Sequence, residues 1–228
     1  TKFTGIVPSI AINLVIPLFF ALTTTLAFSI VYNLAALTRG YLNQSEGIGT
    51  RLYPSPILAG FMGVLFVTIA GNLDGMIQLF RGVVRLVSGE SFGAFGFWRS
   101  SRMFSGSEIT EFPFFTFLFA DPHAHLFVIP FTLLALGLAL AFIVGARVTL
   151  PFMGPMAILP FLSLGLVLGA IQATNSWDSP TYLLMATLAM IITEYTWRRR
   201  FDLGLVVLAG VKGVVLYALG YVFFLPFQ

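Results

Sequence analysis

The fold is decided by residues 126–146, which read LFVIPFTLLALGLALAFIVGA and contain no charged side chain. A helix of about 20 such residues is long enough to cross the hydrocarbon core of a bilayer. Five further runs to either side are predominantly apolar and similar in length or longer. They are residues 10–37, 56–77, 152–173, 180–197 and 203–224. The sequence therefore predicts an all-α, polytopic transmembrane bundle of about six spans in a single domain, 1–228.

Composition supports the membrane assignment. Of the 228 residues, 58% are hydrophobic and 9% are charged, whereas about a quarter are charged in soluble domains. This balance excludes a disordered chain and a soluble globule. The absence of cysteine excludes disulfides, thiolate metal sites and cysteine nucleophiles. Because the sequence starts at Thr1 without methionine and is still apolar where it ends, we expect a fragment of a longer protein.

The distribution of arginine predicts the orientation. The first, third and fifth loops between the six predicted spans carry Arg39, Arg51, Arg147 and the run 198–200. Arginine-rich loops of this kind usually lie in the cytoplasm, so the net charge of +3 does not indicate nucleic acid. The long loop 78–125 and the short 174–179 segment are then predicted outside a bacterial or archaeal cell membrane.

The most informative segment of the outer loop is residues 109–125, ITEFPFFTFLFADPHAH, which contain both histidines of the chain. Asp121, His123 and His125 alternate, so in an extended segment their side chains point to one side. Carboxylate and imidazole together suit a divalent metal such as Mn, Mg or Zn. The alternative is that Asp121 caps a helix beginning after Pro122 and that the histidines simply lie at the interface.

Acidic and basic side chains near this segment are further candidates. Glu111, like Glu108, is a candidate general base or metal ligand, or else an ordinary solvated carboxylate. Arg99 and Arg102 lie three residues apart beside an aromatic residue, a pattern that can bind phosphate or anchor a helix at the interface. Asp74, at the exit of the second span, belongs either to a helix end or to the same outer site.

The turn between the fourth and fifth spans also carries candidates. Trp177 and Asp178 lie in the sequence NSWDSP, residues 175–180. They are candidate substrate-binding residues. The alternative is that Asp178 caps the helix that Pro180 begins and that Trp177 belongs to the aromatic belt of the membrane.

Four segments occur in an order that resembles a known family: GNLDG (71–75), FWRSSR (97–102), the 109–125 segment and NSWDSPTY (175–182). They look like the YYY family of uncharacterised bacterial and archaeal multi-pass membrane proteins, domain of unknown function 2298. Members typically read Gly-Asp-Leu-His-Pro-His where this chain has ADPHAH (120–125). Asp, His and His are kept, and the proline has moved.

The resemblance implies a fold similar to the GT-C membrane glycosyltransferases, which take a sugar from a polyprenyl-phosphate donor at an outer-face, often metal-assisted, acidic site. On this reading Asp121 and Glu111 are catalytic, as base or metal ligands. His123 and His125 hold a metal or the donor phosphate, and Arg99 and Arg102 pair with that phosphate. The acidic motif of the first outer loop in such enzymes would precede Thr1.

Two other function classes fit a chain of this composition. One is a non-catalytic structural or pigment-associated subunit of a larger membrane complex, whose partners would be lipids and other membrane subunits. The other is a transporter, for which helices broken near the bilayer midplane are expected. Pro17 and Pro160 point weakly to a transporter, and the sequence predicts no buried charge pair in the spans to support it.

Overall fold

The structure is a computed structural model and describes residues 5–45, 54–70, 73–102, 110, 112–120, 122–145 and 155–227. Where we predicted one domain, the chain groups into two compact units, Thr1–Leu126 and Phe127–Gln228.

The described residues form helices and no strands, which confirms the all-α prediction. Two 3₁₀ helices accompany the α-helices, one at Phe97–Ser101 and one at Leu225–Phe227. The α-helices are α1 (Pro8–Ser45), α2 (Pro56–Thr68), α3 (Asp74–Val87), α4 (Pro113–Phe119), α5 (Ala124–Gly145), α6 (Pro155–Thr174), α7 (Ser179–Arg198) and α8 (Leu203–Phe223).

Three helices among the described residues are long and apolar enough to cross a membrane: α1, α5 and α8. Helix α2 is equally apolar but has only 13 residues. Helix α7 has 20 residues and includes both Glu194 and Arg198. The structure therefore agrees with a helical membrane bundle, while the number of six spans stays a prediction.

The predicted second span, 56–77, does not form one helix. Ser55 caps the start of α2 by accepting a hydrogen bond from the Leu58 amide at 3.1 Å. The helix ends at Thr68, where the Leu65 carbonyl accepts from the amides of both Ile69 and Ala70 at 3.0 and 2.9 Å. The bond from Ala70 spans five residues instead of four, so the regular α-helical hydrogen-bond pattern stops at this point. The remainder of the predicted span belongs to a separate helix, α3.

In the first unit, α1 and α2 pack closely because glycine replaces larger side chains on α2. A Cβ atom at Gly60 would lie 2.7 Å from the Phe28 ring, and one at Gly63 would lie 2.6 Å from Val31. Small residues allow helix backbones to approach in membranes, where dispersion contacts rather than water drive association. Phe28 also packs edge-on against Phe61, with ring centroids 5.2 Å apart.

The second unit has a continuous apolar core, drawn from α5 to α8. At the crossing of α6 and α8, a Cβ atom on Gly169 would lie 2.5 Å from the Gly220 carbonyl oxygen. This pair of glycines lets the two backbones touch. The fully buried side chains of the core include Leu164, Ile171, Met190 and Leu216.

A buried charge cluster lies between α7 and α8, and our expectation that the spans contain no such pair is wrong. The Glu194 side chain is 8% exposed and accepts a hydrogen bond from the Lys212 ammonium group. Arg198 Nε donates to the other carboxylate oxygen of Glu194 at 3.3 Å. Ionisable groups inside a membrane segment are costly unless they are paired in this way.

Candidate functional site

The scaffold of the first candidate site is α3, whose polar residues lie along one side. Asp74, Gln78, Arg81 and Arg85 follow the three- and four-residue spacing that puts side chains on one helix face. Beside this face a Cβ atom at Gly75 would lie 2.5 Å from the Phe114 ring, and one at Gly82 would lie 2.4 Å from the Phe92 ring. The glycines therefore let α4 and the segment after α3 pack directly on the helix.

Gln78 fixes the chain that returns across α3. Its Nε2 donates to the Gly96 carbonyl oxygen at 3.1 Å, and its Oε1 accepts from the Gly96 amide at 2.8 Å. The same Nε2 donates to Asp74 Oδ2 at 2.7 Å. One amide side chain thus satisfies both backbone groups of Gly96, immediately before the 3₁₀ helix that carries the candidate arginines.

Arg99 forms an ion pair with Asp74. Its Nε lies 3.0 and 3.1 Å from the two carboxylate oxygens, and its Nη2 also donates to Oδ1. The hydrogen bond from Arg99 holds the pKa of Asp74 below its ordinary value, and Gln78 adds to the effect. The same pairing raises the pKa of Arg99. Asp74 is the first residue of α3, as the helix-end alternative predicts, and it also pairs with Arg99, so its part in an outer site stays a prediction.

Arg102 lies over an aromatic cluster at the end of the same 3₁₀ helix. Its guanidinium carbon is 5.7 Å from the centroid of the Trp98 ring, within the range of a cation–π contact. Trp98 packs on Phe119 with ring centroids 5.1 Å apart, and Phe119 stacks on Phe115 at 5.5 Å. The rings of α4 thus support the Trp98 ring, and the Arg102 side chain over that ring stays exposed.

Two buried serines form hydrogen bonds with the backbone of the 3₁₀ helix. Ser100 and Ser101 are 2% and 0% exposed, and their hydroxyls donate to the carbonyl oxygens of Phe97 and Trp98 at 2.9 Å. The Ser101 carbonyl in turn accepts from the Thr110 amide at 2.8 Å. The chain therefore returns to this helix just before Glu111. Glu108 and Glu111 themselves lie outside the described residues.

The histidine segment follows α4 directly. Helix α4 ends at Phe119, the following Ala120 is in the left-handed conformation with φ 57°, and α5 begins at Ala124. Helix α5 therefore begins two positions after Pro122, and the alternative that Asp121 caps this helix stays a prediction. Asp121 lies outside the described residues.

The two histidine rings are nearly parallel, with centroids 5.4 Å apart and an interplanar angle of 25°. Two imidazoles that share one tetrahedral zinc ion have centroids roughly 5 Å apart, because each Zn–N bond is about 2 Å long. Because imidazole lone pairs lie in the ring planes, this stacked pair does not by itself direct two nitrogens at one ion, and the shared metal ion stays a prediction. No cluster of three possible ligands occurs among the described residues, and the third candidate, Asp121, is not among them.

Trp177 and Asp178 belong to the second unit. Trp177 is 90% exposed. Asp178 occupies the N-cap position of α7, but its carboxylate accepts from the Asn175 amide group at 3.0 Å and from no α7 amide. The alternative that Asp178 caps α7 is thus correct in position, but the Asp178 side chain does not accept the capping hydrogen bond from α7.

A small cavity of about 60 Å³ lies beside this turn, between α6, α7 and α8. Gln172, Ser179, Tyr217 and Tyr221 contribute its polar lining groups. The sequence analysis missed this cavity because its residues come from three helices. The only signal available was the polar residue Gln172 near the end of an apolar run.

One family model matches this chain along its whole length. It describes an uncharacterized membrane protein family, DUF2298, and it covers residues 1–228. No curated protein and no solved structure matches the chain.

Proposed function

We propose, since this chain belongs to the DUF2298 family of membrane proteins, that it is a membrane-embedded enzyme that transfers a sugar from a polyprenyl-phosphate donor. The observation that carries the proposal is the arrangement of Arg99 and Arg102. One is oriented by Asp74 and the other lies over Trp98, on a helix that packs against α4. The histidines follow α4 by only a few residues.

In this proposal the arginines hold the donor phosphate. Arg102 presents an exposed guanidinium group, which binds phosphate oxygens through paired N–H donors. Arg99 keeps one terminal nitrogen for the ligand while Asp74 engages Nε and Nη2. Asp74 is then a positioning residue, because it sets the direction of the Arg99 fork.

The remaining site residues supply the acid–base groups. His123 and His125 would hold a divalent cation together with Asp121, and such an ion neutralises charge on a leaving phosphate. Asp121 or Glu111 accepts the proton of the acceptor hydroxyl as that oxygen attacks the anomeric carbon. The bond between that carbon and the phosphate oxygen breaks, and polyprenyl phosphate leaves with the bonding electrons.

We further propose that Trp177 and Asp178 contribute to sugar binding and that the 78–125 segment faces outward. The exposed indole of Trp177 offers an apolar surface for a sugar ring. The outward placement rests on the arginine-rich loops and on the positive-inside rule. It puts a site for a lipid-linked donor where such lipids present their sugars.

Binding of polyprenyl phosphate by the detergent-purified protein tests this proposal. We expect Arg102→Gln to weaken binding about tenfold or more, because a hydrogen bond to a charged group contributes about 1.5–3 kcal/mol. Arg200→Gln is the matched control, since Arg200 is highly exposed and pairs with Asp202 in the second unit. Equal affinity of the two variants, or no binding by the unsubstituted protein, would contradict the proposal.

A transporter is the second candidate, and the Glu194–Lys212 pair favours it. Paired ionisable groups within membrane helices commonly mark ion or proton pathways. If this candidate is right, Lys212→Met abolishes ion or proton flux in proteoliposomes but leaves polyprenyl-phosphate binding intact. The enzyme proposal predicts instead that Arg102→Gln loses polyprenyl-phosphate binding and that Lys212→Met keeps it.

A further inference from the structure

Helix α3 has a broad apolar face that no described part of the first unit covers. The face consists of side chains at three- and four-residue intervals, so they line one side of the helix. Phe80 is 70% exposed and Val87 is 84% exposed. The other members are Leu73, Met76, Ile77, Val83 and Val84, each between 37% and 55% exposed.

The other sides of α3 are engaged by the protein. Asp74 and Gln78 bind Arg99 and Gly96, and the glycine side packs against Phe92 and Phe114. These contacts fix the rotation of the helix about its axis. The apolar face is therefore held outward by the polar contacts behind it.

We propose that α3 lies in the plane of the membrane surface and inserts this apolar face into the lipid. The occupant is lipid because the chain belongs to a membrane protein family and α3 begins six positions after α2, a strongly apolar helix. With 14 residues α3 is about 21 Å long, too short to span a core of roughly 30 Å. Complete separation of apolar and polar faces is typical of interfacial helices.

The charges on α3 complement a membrane surface. Arg81 and Arg85 lie on the polar side and are exposed. Within the part of the chain that the structure describes, neither forms an ion pair. Arginines at the edge of an interfacial helix attract anionic headgroups. This inference depends on the membrane location of the chain and is independent of the proposed reaction.

The proposed placement of α3 also sets the depth of the candidate site in the membrane. Asp74 lies on the polar side of α3 and holds Arg99, so a helix in the membrane plane places this arginine at the level of the lipid phosphates. A lipid-linked phosphate would then reach Arg99 without leaving the bilayer surface.

Spin-label accessibility in the full protein tests the placement. The 228 residues contain no cysteine, so Phe80→Cys and Val84→Cys each introduce one thiol into this stretch, and Arg81→Cys is the matched control on the polar side. In vesicles with about one-third phosphatidylglycerol we expect labels at 80 and 84 to lie about 5–10 Å below the phosphates, accessible to oxygen and shielded from a nickel chelate. The label at 81 should be accessible to the chelate.

Two results would overturn the placement. Labels at 80 and 84 that are as accessible to the nickel chelate as the label at 81 would show a face in water. Labels shielded from both oxygen and nickel would show a face covered by protein, such as a second copy of the chain.

A second measurement tests the role of Arg81 and Arg85. The label at Phe80 should lie deeper with phosphatidylglycerol than in pure phosphatidylcholine, and Arg81→Gln with Arg85→Gln should remove the difference. If the label at Phe80 lies at equal depth in both lipid mixtures while the arginines are unsubstituted, the arginines do not attract anionic headgroups. The insertion of α3 itself is tested by the first experiment.

Discussion

Replacing Lys212 by methionine should destabilise the second unit, because it removes one partner of a buried charge. Glu194 would remain 8% exposed, with only the 3.3 Å contact from Arg198. Removing one partner of a fully buried ion pair costs about 3–5 kcal/mol. Since Lys212 is itself 29% exposed and Arg198 stays in place, we expect the smaller value of about 2 kcal/mol. Methionine is nearly as large, so packing changes little.

The free energy of unfolding can be measured by titrating SDS into mixed micelles and following tryptophan fluorescence. Trp197 lies on α7, three residues from Glu194, and reports on this region. Arg200→Gln is the control, because its ion pair with Asp202 is exposed and should contribute less than about 1 kcal/mol.

A double-mutant cycle separates the pair from its surroundings. Glu194→Gln alone should also be destabilising, because it leaves Lys212 within an apolar helix without a carboxylate. The double variant Glu194→Gln with Lys212→Met should cost less than the sum of the two, by about 1–2 kcal/mol. Additive effects, or a Lys212→Met variant as stable as the Arg200→Gln control, would refute the reasoning.

Three further predictions follow from the described contacts. Gly220→Ala should lower the stability by about 2 kcal/mol through overpacking at the α6–α8 crossing, whereas Gly210→Ala on the same helix, with nothing within 4 Å, should leave the thermal midpoint unchanged or raise it. Asp74→Asn should release the 3₁₀ helix and reduce the hydrogen-exchange protection factor of the Gly96 amide several-fold at neutral pH, and unchanged protection would argue against the ion pair. The pKa of Asp74 is lowered in the folded protein, so its ion pair with Arg99 stabilises the fold above the ordinary value of 3.8, and this stabilisation is lost as the pH falls through the lowered pKa. Protection of the Gly96 amide that instead falls as the pH rises through neutrality would contradict that sign. His123→Ala and His125→Ala should each abolish divalent-metal binding measured by calorimetry, and a variant that keeps full affinity would remove that histidine from the ligand set.

The predictions that rested on long apolar runs agree with the helices observed. The 203–224 run corresponds to α8, which begins after Asp202 because that carboxylate accepts from the Leu205 amide at 2.8 Å. Residues 126–146 likewise correspond closely to α5, whose bounds are Ala124 and Gly145. Helices of this kind are determined locally, by the need to satisfy every backbone group in an apolar environment.

The 56–77 run shows why average hydropathy failed. Only the first four residues of α3 lie in this run, and Met76 and Ile77 among them extended the apolar run of α2 beyond its end at Thr68. Asp74, Gln78, Arg81 and Arg85 were the available signal for an interfacial helix.

The candidate site was less predictable because its contacts join distant residues. Gln78 meets Gly96 across 18 positions, and Asp74 meets Arg99 across 25. The Glu194–Lys212 pair likewise depends on how α7 and α8 pack against each other. A lone lysine in an apolar run was the only sequence signal for it, and such a residue does not identify its partner.

The most direct test of the proposed reaction is sugar release from a radiolabelled polyprenyl-phosphate donor to water or an added alcohol, catalysed by the full protein in proteoliposomes supplied with Mn²⁺, Mg²⁺ or Zn²⁺. We expect release that depends on the metal and that falls at least about a hundredfold in Asp121→Asn, within the range of 10²–10⁴ that general acid–base groups contribute. No release with any of the three metals, or equal release by the Asp121→Asn variant, would contradict it.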